Sequence, residues 1–136
     1  MRILFLLLFL LTQFCFSQEK NCSNFKTGEF KYVLKSMPEK IIRTDSTQIE
    51  INPVDGVEIY ASIIWTSDCT YVLTYQEIRN YPEDVSDYIG QKIFVEILET
   101  SGNWYKVRAK SNRMEEEIEF IKTNWFIFPL HFLFQQ

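Results

Sequence analysis

The chain has 136 residues, enough for one domain with a single buried core. Its 14 Lys and Arg stand against 18 Asp and Glu, a net charge of −4; with no basic stripe, this excludes a nucleic-acid-binding surface. The only histidine, His131, sits in an apolar C-terminal stretch, and the four glycines are scattered at turns. The first is a poor basis for a Ser-His-Asp, Cys-His or zinc site, and the second leaves no phosphate-binding loop.

The first segment reads as a secretory signal peptide. Met1-Arg2 gives a positive start, residues 3–11 an unbroken apolar run, and Cys15 and Ser17 the small residues before a cut after Ser17. The run is shorter than the roughly 20 residues that a membrane-spanning helix needs. A lipoprotein cut before Cys15 is the alternative reading, disfavoured by the bulky Phe14. Removing residues 1–17 takes away Arg2 and no acid, leaving 13 basic against 18 acidic residues and a charge of about −5. It also leaves two cysteines, Cys22 and Cys69. Export places them in an oxidising compartment, the periplasm or the cell surface, where an even pair is expected to form a disulfide.

Residues 18–124 are expected to form one β domain. Residues 25–34 read as a strand with Phe30 and Tyr32 on one face, ended by Pro38. Residues 40–44 and 48–52 are two short runs split by Asp45-Ser46-Thr47, and Asp55-Gly56 is a hairpin signal. Residues 57–65 alternate, with Val57, Ile59, Ala61, Ile63 and Trp65 on the better core face. Ser67-Asp68 turns the chain into a returning arm with Tyr71, Leu73 and Tyr75.

Residues 81–90 break the pattern. Pro82, the acids after it and Gly90 predict a short helix or helical turn. Alternation then resumes: Ile93, Val95 and Ile97 share a face, Ser101-Gly102-Asn103 and Ser111-Asn112-Arg113 turn the chain, and Ile118 and Phe120 alternate with Glu117 and Glu119. Residues 125–136 form an apolar tail without alternation, too short to span a bilayer.

The expected fold is therefore mainly β: an antiparallel meander of about eight strands, closed into a small lipocalin-like barrel or folded as a two-layer sheet, with one short helix. The aromatics Tyr32, Trp65, Tyr71, Tyr75, Trp104 and Phe120 are candidates to line an apolar pocket, or they simply fill the core. Glu115, Glu117 and Glu119 share one face and could hold a hard cation; the favoured reading is a solvated outer face, so no metal site is predicted. No catalytic residue and no cofactor is predicted. Two functions remain: a binding or structural role in the cell envelope with an envelope protein as partner, or a lipocalin-like carrier of a small apolar ligand. The mature domain is not expected to span a membrane.

Three stretches, Cys22-x-x-Phe25-Lys26-Thr27-Gly28-Glu29-Phe30, Ile42-Arg43-x-Asp45-Ser46-x-Gln48-Ile49-Glu50 and Trp65-x-Ser67-Asp68-Cys69-x-Tyr71-x-Leu73, carry a resemblance. Together they resemble a family of small exported proteins typical of flavobacterial genomes, over most of the chain to about Lys122. Some of its members bear a DNA topoisomerase IV name. That name does not fit a chain with no nucleophilic-tyrosine domain, no ATP site and no basic surface. The resemblance implies export and supplies no catalytic residues.

Overall fold

A computed structural model describes residues 19–123 of the chain. The proposed signal peptide and the apolar tail lie outside the described residues.

Eight strands follow in order: β1 (Gly28–Tyr32), β2 (Lys40–Arg43), β3 (Thr47–Ile51), β4 (Glu58–Trp65), β5 (Thr70–Arg79), β6 (Lys92–Ser101), β7 (Trp104–Lys110) and β8 (Glu115–Lys122). Each pairs antiparallel with the next, and β8 returns to pair with β1, placing Phe30 opposite Lys122 and Tyr32 opposite Phe120. The meander is thus a closed barrel, which removes the free edges a flat sheet of eight strands would expose. Two irregularities bend the longer strands. Gln76 is an extra residue where β4 meets β5, and Leu98 is one where β6 meets β7.

Alternation sets the core. Phe30, Ile41, Ala61, Ile63, Tyr71, Leu73, Val95, Ile97, Tyr105, Val107, Ala109 and Phe120 are buried, and their immediate neighbours along each strand point to the outer face. The face chosen for residues 57–65 is the buried one at Ala61 and Ile63, while Ile64, on the other face, is 65% exposed. The turns are local chemistry. The Asn52 side chain accepts the Val54 N–H, and Gly56 takes a positive φ of 75° that a β-carbon would strain. At the β4–β5 turn, Ser67 and Thr70 share a hydroxyl hydrogen bond of 2.6 Å.

Of the short helix or helical turn expected over residues 81–90, only a turn forms, and the helix is corrected: Ser86–Tyr88 makes a single 3-10 turn, and none of its residues is buried. Its N-terminus has no side-chain cap, and the segment has no apolar stripe to pack on the barrel, so nothing offsets the cost of nucleating a longer helix. Gly90 still ends it with a positive φ of 81°, donating its N–H to the Tyr75 carbonyl. No helix among the described residues is long and apolar enough to cross a membrane.

One end of the barrel is plugged. A 3-10 turn over Cys22–Phe25 folds across it, and Phe25, with no exposed surface, packs on Tyr105 with ring centroids 4.5 Å apart. Lys122 donates to the Asn24 carbonyl at 2.6 Å. The expected disulfide is present: Cys22 and Cys69 are bonded with their Cα atoms 5.3 Å apart, tying the plug to the β4–β5 turn. The opposite end carries the longer connections, β1–β2, β3–β4 and β5–β6, together with the β7–β8 turn.

The acidic strand β8 faces a basic β7 on the outer wall. Glu117 lies 3.5 Å from both Lys106 and Arg108, and Glu115 lies within 4 Å of Arg108 and Lys110. These are exposed pairs worth at most about 1 kcal/mol each, and they fix the cross-strand neighbours rather than build a cation site. Among the described residues no three metal-ligating side chains are grouped for an ion.

Candidate functional site: a half-hollow barrel

An eight-stranded barrel is just wide enough to be filled by its own side chains or to keep room for one small ligand. This barrel does both along its length. Toward the plugged end, Phe25, Phe30 and Tyr105 fill it. Above them is a cavity of about 220 Å³, which extends toward the open end between Met37 and Met114. Its wall is mostly apolar, with Leu73, Ile93, Val95, Val107, Ala109, Ile118 and Phe120.

Its floor is polar, and it is built from strands β2 and β3. Ile41 and Arg43 alternate inward on β2, and Gln48 and Glu50 alternate inward on β3; the register pairs Arg43 with Gln48 and Ile41 with Glu50. Arg43 is only 3% exposed. Its Nε donates to Gln48 Oε1 (2.9 Å), its Nη1 to the Phe25 carbonyl (2.8 Å), and its Nη2 to the hydroxyls of Tyr71 (3.2 Å) and Tyr105 (3.3 Å). The guanidinium also lies over the rings of Phe30 and Tyr71, 4.7 and 5.0 Å from their centroids. Every acceptor is neutral. Among the described residues no carboxylate comes within ion-pair distance of Arg43.

One layer closer to the opening, Glu50 accepts a hydrogen bond from the Tyr32 hydroxyl. Burial raises the Glu50 carboxyl above the usual carboxylate range; the Tyr32 hydrogen bond opposes this, the Glu39 charge adds to it, and Arg43 opposes it weakly. The tyrosines respond in turn. Burial and then the Glu50 charge push Tyr32 up, and the same two causes raise Tyr75 to about 12. Burial also raises Tyr71 and Tyr105, against the pull of Arg43. All the lumen tyrosines are therefore neutral hydrogen-bonding groups near pH 7.

The raised Glu50 carboxyl has a consequence for stability. An acid whose folded pKa is raised binds more protons folded than unfolded, so stability falls as pH rises from the ordinary glutamate value through the raised one. Glu50→Gln is expected to remove that slope. In melting experiments across pH 4–8, the variant should gain on the parent as pH rises; a parent that instead gains on the variant would show that Glu50 is held as a stabilising anion.

Four of the six aromatics singled out in the sequence line the cavity: Tyr32, Tyr71, Tyr75 and Phe120. Two do not, and the pocket assignment is corrected for them. Trp65 is inward but packs on the Tyr71 ring at 4.6 Å instead of lining the cavity, with Lys26 5.1 Å from its ring centroid. Trp104 is on the outer face, because Tyr105 takes the inward position and Trp104 pairs across to Ile121. The polar floor was not legible. On residues 40–43 and 47–51 the isoleucines fall on both faces, Ile41 against Ile42 and Ile49, so the pattern does not say that Arg43, Gln48 and Glu50 point inward.

The set of groups inside the barrel can donate, accept and pack. Comparison of the chain with protein-family models, with curated proteins and with solved structures finds no match.

Proposed function

We propose that this is an exported, non-enzymatic binding barrel, a lipocalin-like carrier or sensor of one small molecule. The observation that carries the reading is the cavity of about 220 Å³ left inside the barrel above the buried Phe25, Phe30 and Tyr105. A well-packed interior rarely keeps a void larger than a water molecule, and an apolar-walled one of this size costs stability unless something fills it. The size also bounds the ligand. Pockets for drug-sized molecules run from roughly 300 to 1,000 Å³, while an engineered cavity of about 150 Å³ holds benzene. The ligand is therefore a compact molecule of a few carbons or one ring. The disulfide and the plug support the reading of an extracytoplasmic protein, since they suit an oxidising compartment.

Filling the cavity tests this. Ala109 lines the wall and is buried; Ala109→Phe directs a ring into the space. The variant is expected to keep its disulfide and its melting temperature within a few degrees and to lose binding of a small hydrophobic fluorescent probe by about tenfold or more. Unchanged probe binding would put the probe elsewhere and remove the support for a carrier.

A second reading, an envelope-binding role, is favoured by a different observation. Val33, Leu34, Val54, Tyr81, Ile89 and Met114 are exposed apolar residues, and all lie on connections at the open end. That rim suits contact with a partner surface as well as entry of a ligand.

A further inference from the structure

We propose that the ligand of this cavity carries a carboxylate head, held on the floor by Arg43, Gln48 and Tyr71, with an apolar body against Leu73, Val95, Val107 and Ala109. The inference rests on the binding-barrel reading above and names the chemistry of its ligand.

The floor is a set of donors with no anion. Guanidinium has five N–H groups, and four of the Arg43 acceptors are accounted for by Gln48, Phe25, Tyr71 and Tyr105. One N–H is left over. The Tyr71 hydroxyl accepts from Arg43, which leaves its own O–H to donate, and no acceptor for it is present among the described residues. Gln48 turns its carbonyl to Arg43, which leaves its amide N–H₂ likewise unpaired. All three side chains line the cavity. Arg43 bonds both Gln48 (2.9 Å) and Tyr71 (3.2 Å), so the three side chains form one connected polar floor.

The charge argues the same way. A buried cation is costly unless it is paired, and neutral acceptors satisfy its hydrogen bonds without neutralising it. A carboxylate would do both, through charge-assisted hydrogen bonds roughly twice as strong as neutral ones. The carboxylate of the cavity, Glu50, is not placed to do so. It sits one layer nearer the opening and is bonded to Tyr32. An amine head on Glu50 is the competing arrangement. It is the weaker one, because Glu50 already has a donor in Tyr32, whereas the floor has spare donors beside a guanidinium that bonds only neutral acceptors.

The test uses the disulfide-bonded protein and three probes of matched length: hexanoate, 1-hexanol and hexylamine, measured by calorimetry. Hexanoate is expected to bind about tenfold or more tightly than 1-hexanol, and hexylamine no better than 1-hexanol. Tyr71→Phe should narrow the acid–alcohol gap severalfold, because its hydroxyl donates to the acid head. Gln48→Glu keeps the bond to Arg43 and gives it a built-in anion, so hexanoate binding should be lost while 1-hexanol binding persists. Equal affinity for hexanoate and 1-hexanol overturns the acid head and leaves the binding barrel standing. Tightest binding by hexylamine overturns it in favour of Glu50. Hexanoate binding that survives Gln48→Glu overturns the floor as its seat. Binding of none of the three overturns the acid head together with the binding barrel.

Discussion

Removing the Cys22–Cys69 bond, by Cys22→Ala with Cys69→Ala, is expected to cost about 2–4 kcal/mol and to lower the melting temperature by roughly 10–25 °C. The bond closes a long loop, with a sequence separation of 47, so it removes much of the freedom of the unfolded chain. Its second effect is on the native state. It pins the turn over Cys22–Phe25, and that turn delivers both Phe25 to the floor of the barrel and a carbonyl to Arg43. Thermal melts with and without reductant, alongside the double variant, measure the effect. A loss below about 0.5 kcal/mol would mean that Phe25 and Lys122 alone hold the plug, and that the bond merely accompanies it.

Arg43→Ala is expected to be of similar size, on the order of 3–5 kcal/mol in urea unfolding. The substitution opens a void among Phe30, Tyr71 and Tyr105, and it orphans the Phe25 carbonyl and Gln48 Oε1 at about 1–3 kcal/mol each. Against this stands the desolvation cost of the guanidinium, which the variant no longer bears. Arg43→Met separates the two terms, because it restores most of the volume and none of the hydrogen bonds. We expect it to lose about 1–3 kcal/mol. If Arg43→Met is as stable as the parent, the cation is a net cost to the empty barrel, and its place there is explained by what it binds rather than by what it holds together.

The outline of the fold was readable from periodicity. Val95 and Ile97, Ala61 and Ile63, Tyr71 and Leu73 each repeat every second residue, and a strand with one buried face can place them only one way. Short Asx, Ser and Gly turns then leave antiparallel neighbours as the natural pairing. The site was readable in part. Tyr32, Tyr71, Tyr75 and Phe120 belong to strongly alternating strands and could be placed. Trp104 could not, since it precedes Tyr105 at a strand start where either aromatic could have turned inward. Nor could the helical signal of residues 81–90 be weighed, because Pro82 and Gly90 mark where a helix would begin and end without supplying the packing that holds one.

By itself the sequence determined the strand meander and the cysteine pair Cys22 and Cys69, because these depend on local pattern and on which residues are present. The tertiary structure alone decided that β8 closes on β1, that the Cys22–Phe25 turn stoppers one end, and that Arg43, Gln48 and Glu50 point into the lumen. Closure and plugging are long-range pairings, between residues about 50 to 100 positions apart, and no short window of sequence records them. The inward polar floor is subtler. Strand β2 carries isoleucine on both faces, and β3 carries Ile49 and Ile51 on the face opposite Gln48 and Glu50, so hydrophobicity alone does not turn the polar residues inward; the choice comes from the acceptors the rest of the barrel brings to Arg43, namely the Phe25 carbonyl and the hydroxyls of Tyr71 and Tyr105.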